Sequence, residues 1–123
     1  MPTQGIRGAT TIDSDSTENV LSAVHELLEA ILLSNPDLIT DDIASVIFTT
    51  TDDIVSTFPA LAARKMGWDR VPMMSAHEIP VPDSLPLCIR VLILWNTDKK
   101  QISIQHIYLR DAVNLRPDLA PRA

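Results

Sequence analysis

The chain has 123 residues, 46% of them apolar and 21% charged, enough to bury roughly two-thirds of its unfolded surface around a single core. Sixteen acidic against ten basic residues leave a net charge of −6. That balance argues against a general nucleic-acid binder, yet a few inward arginines can still create a local field for a small anion. No apolar run reaches the ~20 residues of a bilayer span, and the start "MPTQGIRGATT" lacks a signal-like apolar stretch. The one cysteine, Cys88, cannot form an internal disulfide, so the expectation is one cytoplasmic domain over residues 1–123 with no membrane partner.

In chain order, "GIRGATTI" predicts a short strand with Arg7 between Gly5 and Gly8. Val20, Leu21, Val24, Leu27, Leu28, Ile31 and Leu32 recur at the spacing of one helix face. Asp15 with Glu18 three residues later predicts a capping box, Pro36 predicts the stop, and His25 falls off the apolar stripe. "LITDDIASVIFTTT" predicts a helical turn capped by Thr40 and then a strand over 46–50. Pro59 suits the first turn of a second helix and Gly67 its C-terminal cap. Pro72, Pro80 and Pro82 interrupt "RVPMMSAHEIPVP", which predicts an edge strand or an irregular loop.

The segment 85–97, "LPLCIRVLILWNT", has the composition of a strand buried on both faces, with Arg90 in its middle. A buried unpaired charge costs several kcal/mol, roughly a small domain's whole margin. Arg90 therefore needs a carboxylate partner or a bound anion. After a "TDKKQ" turn, "ISIQHIYL" alternates as a strand, and "RDAVNL" predicts a helical turn before a mobile tail over 115–123. The order predicts an α+β domain, or α/β with a mixed sheet, and one long helix leaves sheet surface for oligomerisation to cover.

Reactive chemistry finds little support. His25, His77 and His106 have no metal-ligand spacing, no nucleophile elbow surrounds Ser75, and three glycines form no phosphate cradle. What remains is arginine in unusual places: Arg7 between glycines, Arg64 after an apolar turn, and Arg90 in an apolar strand. Each alone reads most simply as a structural ion pair or a snorkelling side chain, as Glu78 does as a surface carboxylate and Tyr108 as a half-buried core phenol. Together they describe cationic forks with one acceptor and one phenol, suited to a dicarboxylate.

"GIRGATT", "FPALAAR", "VPMMSAHEIPV", "CIRVLILWNTD" and "HIYLRDAVNLRPDL", spread from Gly5 to Leu119, resemble the AroH-class chorismate mutases of phenylalanine and tyrosine biosynthesis. The resemblance implies a homotrimer with a pseudo-α/β-barrel core, active sites at subunit interfaces, and cofactor-free rearrangement of chorismate to prephenate. It implies Arg90 at the ether oxygen, Arg7 on a carboxylate, Glu78 on the ring hydroxyl and Tyr108 as a hydrogen-bond donor nearby. Phe58, Ala60, Arg64, Met74 and Ser75 would line the pocket across the subunit boundary, and Leu115 and Arg116 would close it. Ser75 stands where a relative has cysteine and Leu61 where some members have lysine; neither removes a charge-stabilising group. A RidA-type imine deaminase would also place an arginine in a subunit cleft, but the joint set of Arg7, Glu78, Arg90 and Tyr108 favours the mutase. A catalytically silent trimer that merely binds the acid would keep every one of these residues.

Overall fold

The structure, a computed structural model, describes residues 1–115; the expected tail beyond Leu115, including Arg116, lies outside the described residues. Its elements are β1 (Thr3–Thr11), α1 (Thr17–Ser34), β2 (Ile43–Thr50), α2 (Ala60–Lys65), β3 (Met73–His77), β4 (Cys88–Asn96) and β5 (Ile107–Tyr108). The strands form one mixed sheet in the order β3-β2-β4-β1-β5. β4 runs antiparallel to both β1 and β2, while β3 and β5 add parallel edges. The fold is α+β with a mixed sheet, as the order of elements predicts.

Helix α1 covers one face of this sheet. Val20, Ala23, Val24, Leu27, Leu28 and Ile31 are its buried residues, and each of the larger ones contributes about 1.5–3 kcal/mol on leaving water. The approach is close because β1 offers a glycine. A Cβ at Gly8 would lie 3.0 Å from Ile31 Cδ1 and Val91 Cγ1 and 3.2 Å from Leu27 Cδ1. Ile6, Val46, Phe48, Val91, Ile93 and Trp95 complete this core.

The opposite face is only partly covered. Ala9, Tyr108 and Ala112 form a small second cluster there, with Leu85 and Leu115 against it. Along β4, Ile89, Val91, Ile93 and Trp95 are buried, whereas Arg90, Leu92, Leu94 and Asn96 are half-exposed. The expectation of a strand buried on both faces is therefore corrected: among the described residues the helix layer lies on the other side.

Local details differ from the sequence reading for identifiable reasons. Ser16 caps α1, its Oγ accepting from the Asn19 N–H at 3.0 Å. Asp15 instead accepts from the backbone N–H groups of Val55 and Ser56, tying the helix start to the loop before α2 and holding its own carboxyl below the usual range. Ile39, with no side-chain bond, precedes the 3-10 turn Thr40–Asp42, so Thr40 is not its cap, and β2 starts at Ile43. Gly67 ends α2 as expected, with a φ of 93°. Its N–H donates to Arg64 O and that of Trp68 to Ala63 O, the paired bonds of a Schellman ending.

The largest departure is 102–109, expected as a strand. Only Ile107–Tyr108 pair with β1, and Gln101–Ser103 form a 3-10 turn. Side chains occupy the rest of that edge. The Gln101 amide takes both the N–H and the C=O of Gly5, at 2.8 and 2.6 Å. His106 Nδ1 accepts from the Arg7 N–H at 2.9 Å. Asn35, buried at the end of α1, donates to Gln105 O and accepts from Gln105 N, each at 3.0 Å.

Candidate active site

Register brings the candidate residues together. Ala76, Thr49, Arg90, Ala9 and Tyr108 are successive partners across β3, β2, β4, β1 and β5, and partners in a sheet point to the same side. One step along the strands lies a parallel row of Met74, Ile47, Leu92 and Arg7. Because Gly8 and Val91 face α1, both rows lie on the bare face.

Glu78 follows β3 and reaches into this row. Its N–H donates to Thr50 O at 2.8 Å, which anchors its backbone beside β2. Its Oε2 lies 3.0 Å from Arg90 Nε and accepts from Thr49 Oγ1 at 2.6 Å. The Arg90 contact is an ion pair rather than a hydrogen bond: Nε–H is not aimed at the carboxylate and has no hydrogen-bond acceptor among the described residues. Arg90 thus has the carboxylate its sequence position demands, and its side chain remains 34% exposed. Tyr108, across Ala9 from Arg90, is buried with its hydroxyl unpartnered among the described residues. Two guanidinium groups and one carboxylate make the patch locally cationic in a chain of net charge −6.

Cys88 is one step along β4 on the same side. Burial pushes its thiol up to about 11, with the Arg90 guanidinium pulling the other way, so at neutral pH it is a protonated, poorly nucleophilic group.

The remaining candidates lie elsewhere on the chain. Phe58, 72% exposed, and Ser75 border a cavity of about 400 Å³ with Ile54, Pro59 and His77. Ser75 pairs with Phe48, which is in the main core, so it faces away from Arg90; its buried Oγ has no partner among the described residues. Ala60 is buried at the start of α2 and Arg64 is exposed near its end. Met74, 69% exposed, shares the Arg7 row, and Leu115 packs against the Tyr108 cluster. The candidates therefore fall into two groups: Arg7, Met74, Glu78, Arg90, Tyr108 and Leu115 on the bare face, and Phe58, Ala60, Arg64 and Ser75 around α2 and the inner side of β3.

Sequence reading missed Thr49, which touches the carboxylate directly. Its only sequence signal is membership of the strand segment 46–50, and that cannot say which residue of another strand it will meet.

Two arginines and a glutamate in neighbouring rows on the bare face of a mixed sheet describe a small α+β domain with a locally cationic patch. The type I chorismate mutase family model matches residues 3–119, and the chain belongs to that family. It is 53% identical over 116 residues to the chorismate mutase AroH of Thermus thermophilus, covering 94% of this chain and 95% of the relative. The chorismate mutase AroH of Bacillus subtilis is 40% identical over 121 residues, covering 98% and 94%. A solved chorismate mutase from Clostridium thermocellum superposes with a TM-score of 0.85 at 44% identity, over 88% of this chain and 96% of the other.

Among the described residues no helix is long and apolar enough to cross a membrane, and no group of three or more His, Cys, Asp or Glu side chains is arranged to hold a metal ion.

Proposed function

We propose that this chain catalyses the rearrangement of chorismate to prephenate, at sites built between the subunits of a homotrimer. The reaction is intramolecular: the ether C–O bond breaks as a C–C bond forms within one molecule. The protein's tasks are to hold a dicarboxylate in its compact conformer and to stabilise negative charge growing on the ether oxygen.

The observation that carries this reading is the state of Arg90. It stands mid-sheet on an uncovered face with its side chain 34% exposed, and its Nε lies 3.0 Å from Glu78 without a hydrogen bond between them. A guanidinium held by a carboxylate but not saturated by it can donate to a developing oxyanion. In this reading Arg90 serves the ether oxygen, Arg7 a substrate carboxylate, Glu78 the ring hydroxyl, and the Tyr108 hydroxyl donates at the same end.

The trimer supplies what one chain lacks. Leu92, Leu94 and Ile47 leave apolar surface on the face that carries Arg90, and the second group of candidates lies on the far side of the same chain. A neighbouring subunit would bring its Phe58, Arg64 and Ser75, with the Ala60 end of α2, opposite the first subunit's Arg90. Met74, Leu115 and Arg116 would border the mouth. The test is an ultraviolet assay of chorismate loss with prephenate identified as product; a folded trimer without turnover refutes the reading.

A further inference from the structure

We propose that Thr49 is a positioning residue that fixes the orientation of the Glu78 carboxylate and so keeps the Arg90 guanidinium available to a ligand; this rests on the roles given above to Arg90 and Glu78. Backbone pairing already fixes where Glu78 starts, since its N–H is bonded to Thr50 O at 2.8 Å. What the backbone leaves free is the rotation of the side chain. Thr49 removes that freedom. It is the register partner of Arg90, and its Oγ1 donates at 2.6 Å to Oε2, the same oxygen that sits 3.0 Å from Arg90 Nε. A β-branched side chain on a strand has few χ1 choices, so the hydroxyl is itself well placed.

The consequence is a division of labour between the two carboxylate oxygens. Oε2 is engaged by Thr49 and Arg90, while Oε1 accepts no hydrogen bond from the described residues and is left for a ligand hydroxyl. Without the threonine hydroxyl, no other hydrogen bond from the described residues opposes rotation of the carboxylate into a two-pronged pair with the guanidinium, the geometry such groups prefer. That pair would occupy the donors and cancel the charge the reaction draws on.

The experiment compares Thr49→Val, which keeps the shape and loses the hydroxyl, with Thr49→Ser, which keeps the hydroxyl. Thr49→Val is expected to lower kcat about tenfold, the scale of one lost hydrogen bond to a charged group, with a smaller change in KM. Thr49→Ser is expected to retain most of kcat. In a Glu78→Gln background the Thr49→Val change should have little further effect, because Thr49 acts through that carboxylate. Unchanged kcat in Thr49→Val, equal losses in both variants, or full additivity with Glu78→Gln would each overturn the inference. Wild-type turnover tests the proposed function separately. A crystal structure of Thr49→Val tests the positioning whatever the turnover: Glu78 forked onto Arg90 supports it, and an unmoved carboxylate overturns it.

Discussion

If each site takes Arg90 from one subunit and Arg64 from the next, two inactive proteins should make an active one. Arg64 is exposed on α2 and Arg90 sits on the bare face of β4, so replacing one leaves the other surface intact. In a cyclic trimer every interface is head-to-tail and joins two different patches. Suppose Arg90→Ala and Arg64→Ala chains are refolded together in equal amounts. An interface is intact when its first subunit carries Arg90 and its second carries Arg64, which random assembly achieves at about one quarter of the interfaces.

The parents set the baseline. Loss of a donor to a developing oxyanion costs about 10²–10³ in rate, so the Arg90→Ala protein is nearly silent. Loss of Arg64 removes a charged contact worth about tenfold or more. Co-refolded material should therefore reach about a quarter of wild-type turnover per chain, while preformed trimers mixed without exchange show only the parental average. The assay is chorismate loss, with hybrid trimers verified by native mass spectrometry. Verified hybrids at the parental average would refute a shared site, and near-normal activity of Arg64→Ala alone would remove Arg64 from it.

Replacing Arg90 with citrulline, which keeps the shape and loses the charge, should lower kcat by about 10²–10³ with the fold intact; near-normal kcat would show that the charge is not the source of catalysis. Asn35→Ala removes three hydrogen bonds, to Ile31 O, Gln105 O and Gln105 N, and should cost about 2–4 kcal/mol in urea unfolding; an unchanged midpoint would mean that water replaces them. The Cys88 thiol, with an ordinary value of 9.0, is pushed up to about 11 in the fold. The folded state therefore holds this proton more tightly, and the stability so gained is present below pH 9 and lost as pH rises towards 11. Cys88→Ala should flatten the loss of stability over that window, and identical curves for both proteins would contradict the burial argument.

Much of this fold is legible in the sequence, and the failures share a cause. The 3.6-residue stripe from Val20 to Ile31 and the Pro59 and Gly67 signals report local preferences that packing preserves. "ISIQHIYL" has the period of a strand, but part of the edge it should pair with is taken by the side chains of Gln101 and His106, while Asn35 holds the Gln105 backbone, and no period encodes that reach. Asp15 sits where a capping residue belongs and is drawn instead to Val55 and Ser56 by a contact 40 residues away in sequence. Of the candidate site, Arg90 is legible because an arginine among leucines is chemically conspicuous. Thr49 is not, because a threonine in a strand is ordinary until register sets it against that arginine.

Leu92 and Leu94 are apolar enough to be buried, yet the described residues supply no second layer over them, and Arg90 is set between them and Cys88 on that same face of β4. An arginine there would be costly under a layer of the chain's own apolar side chains, because no water or ligand could reach it. If, as proposed, a neighbouring subunit covers that face, the same guanidinium can stay hydrated until assembly and then open onto a cleft where a dianion replaces the water. The apolar residues around it then lower the local dielectric and strengthen each charge contact inside the cleft. The pattern that looks wasteful in one chain, leucines and an arginine on an unfinished surface, is what the proposed charge-stabilising site between subunits would require.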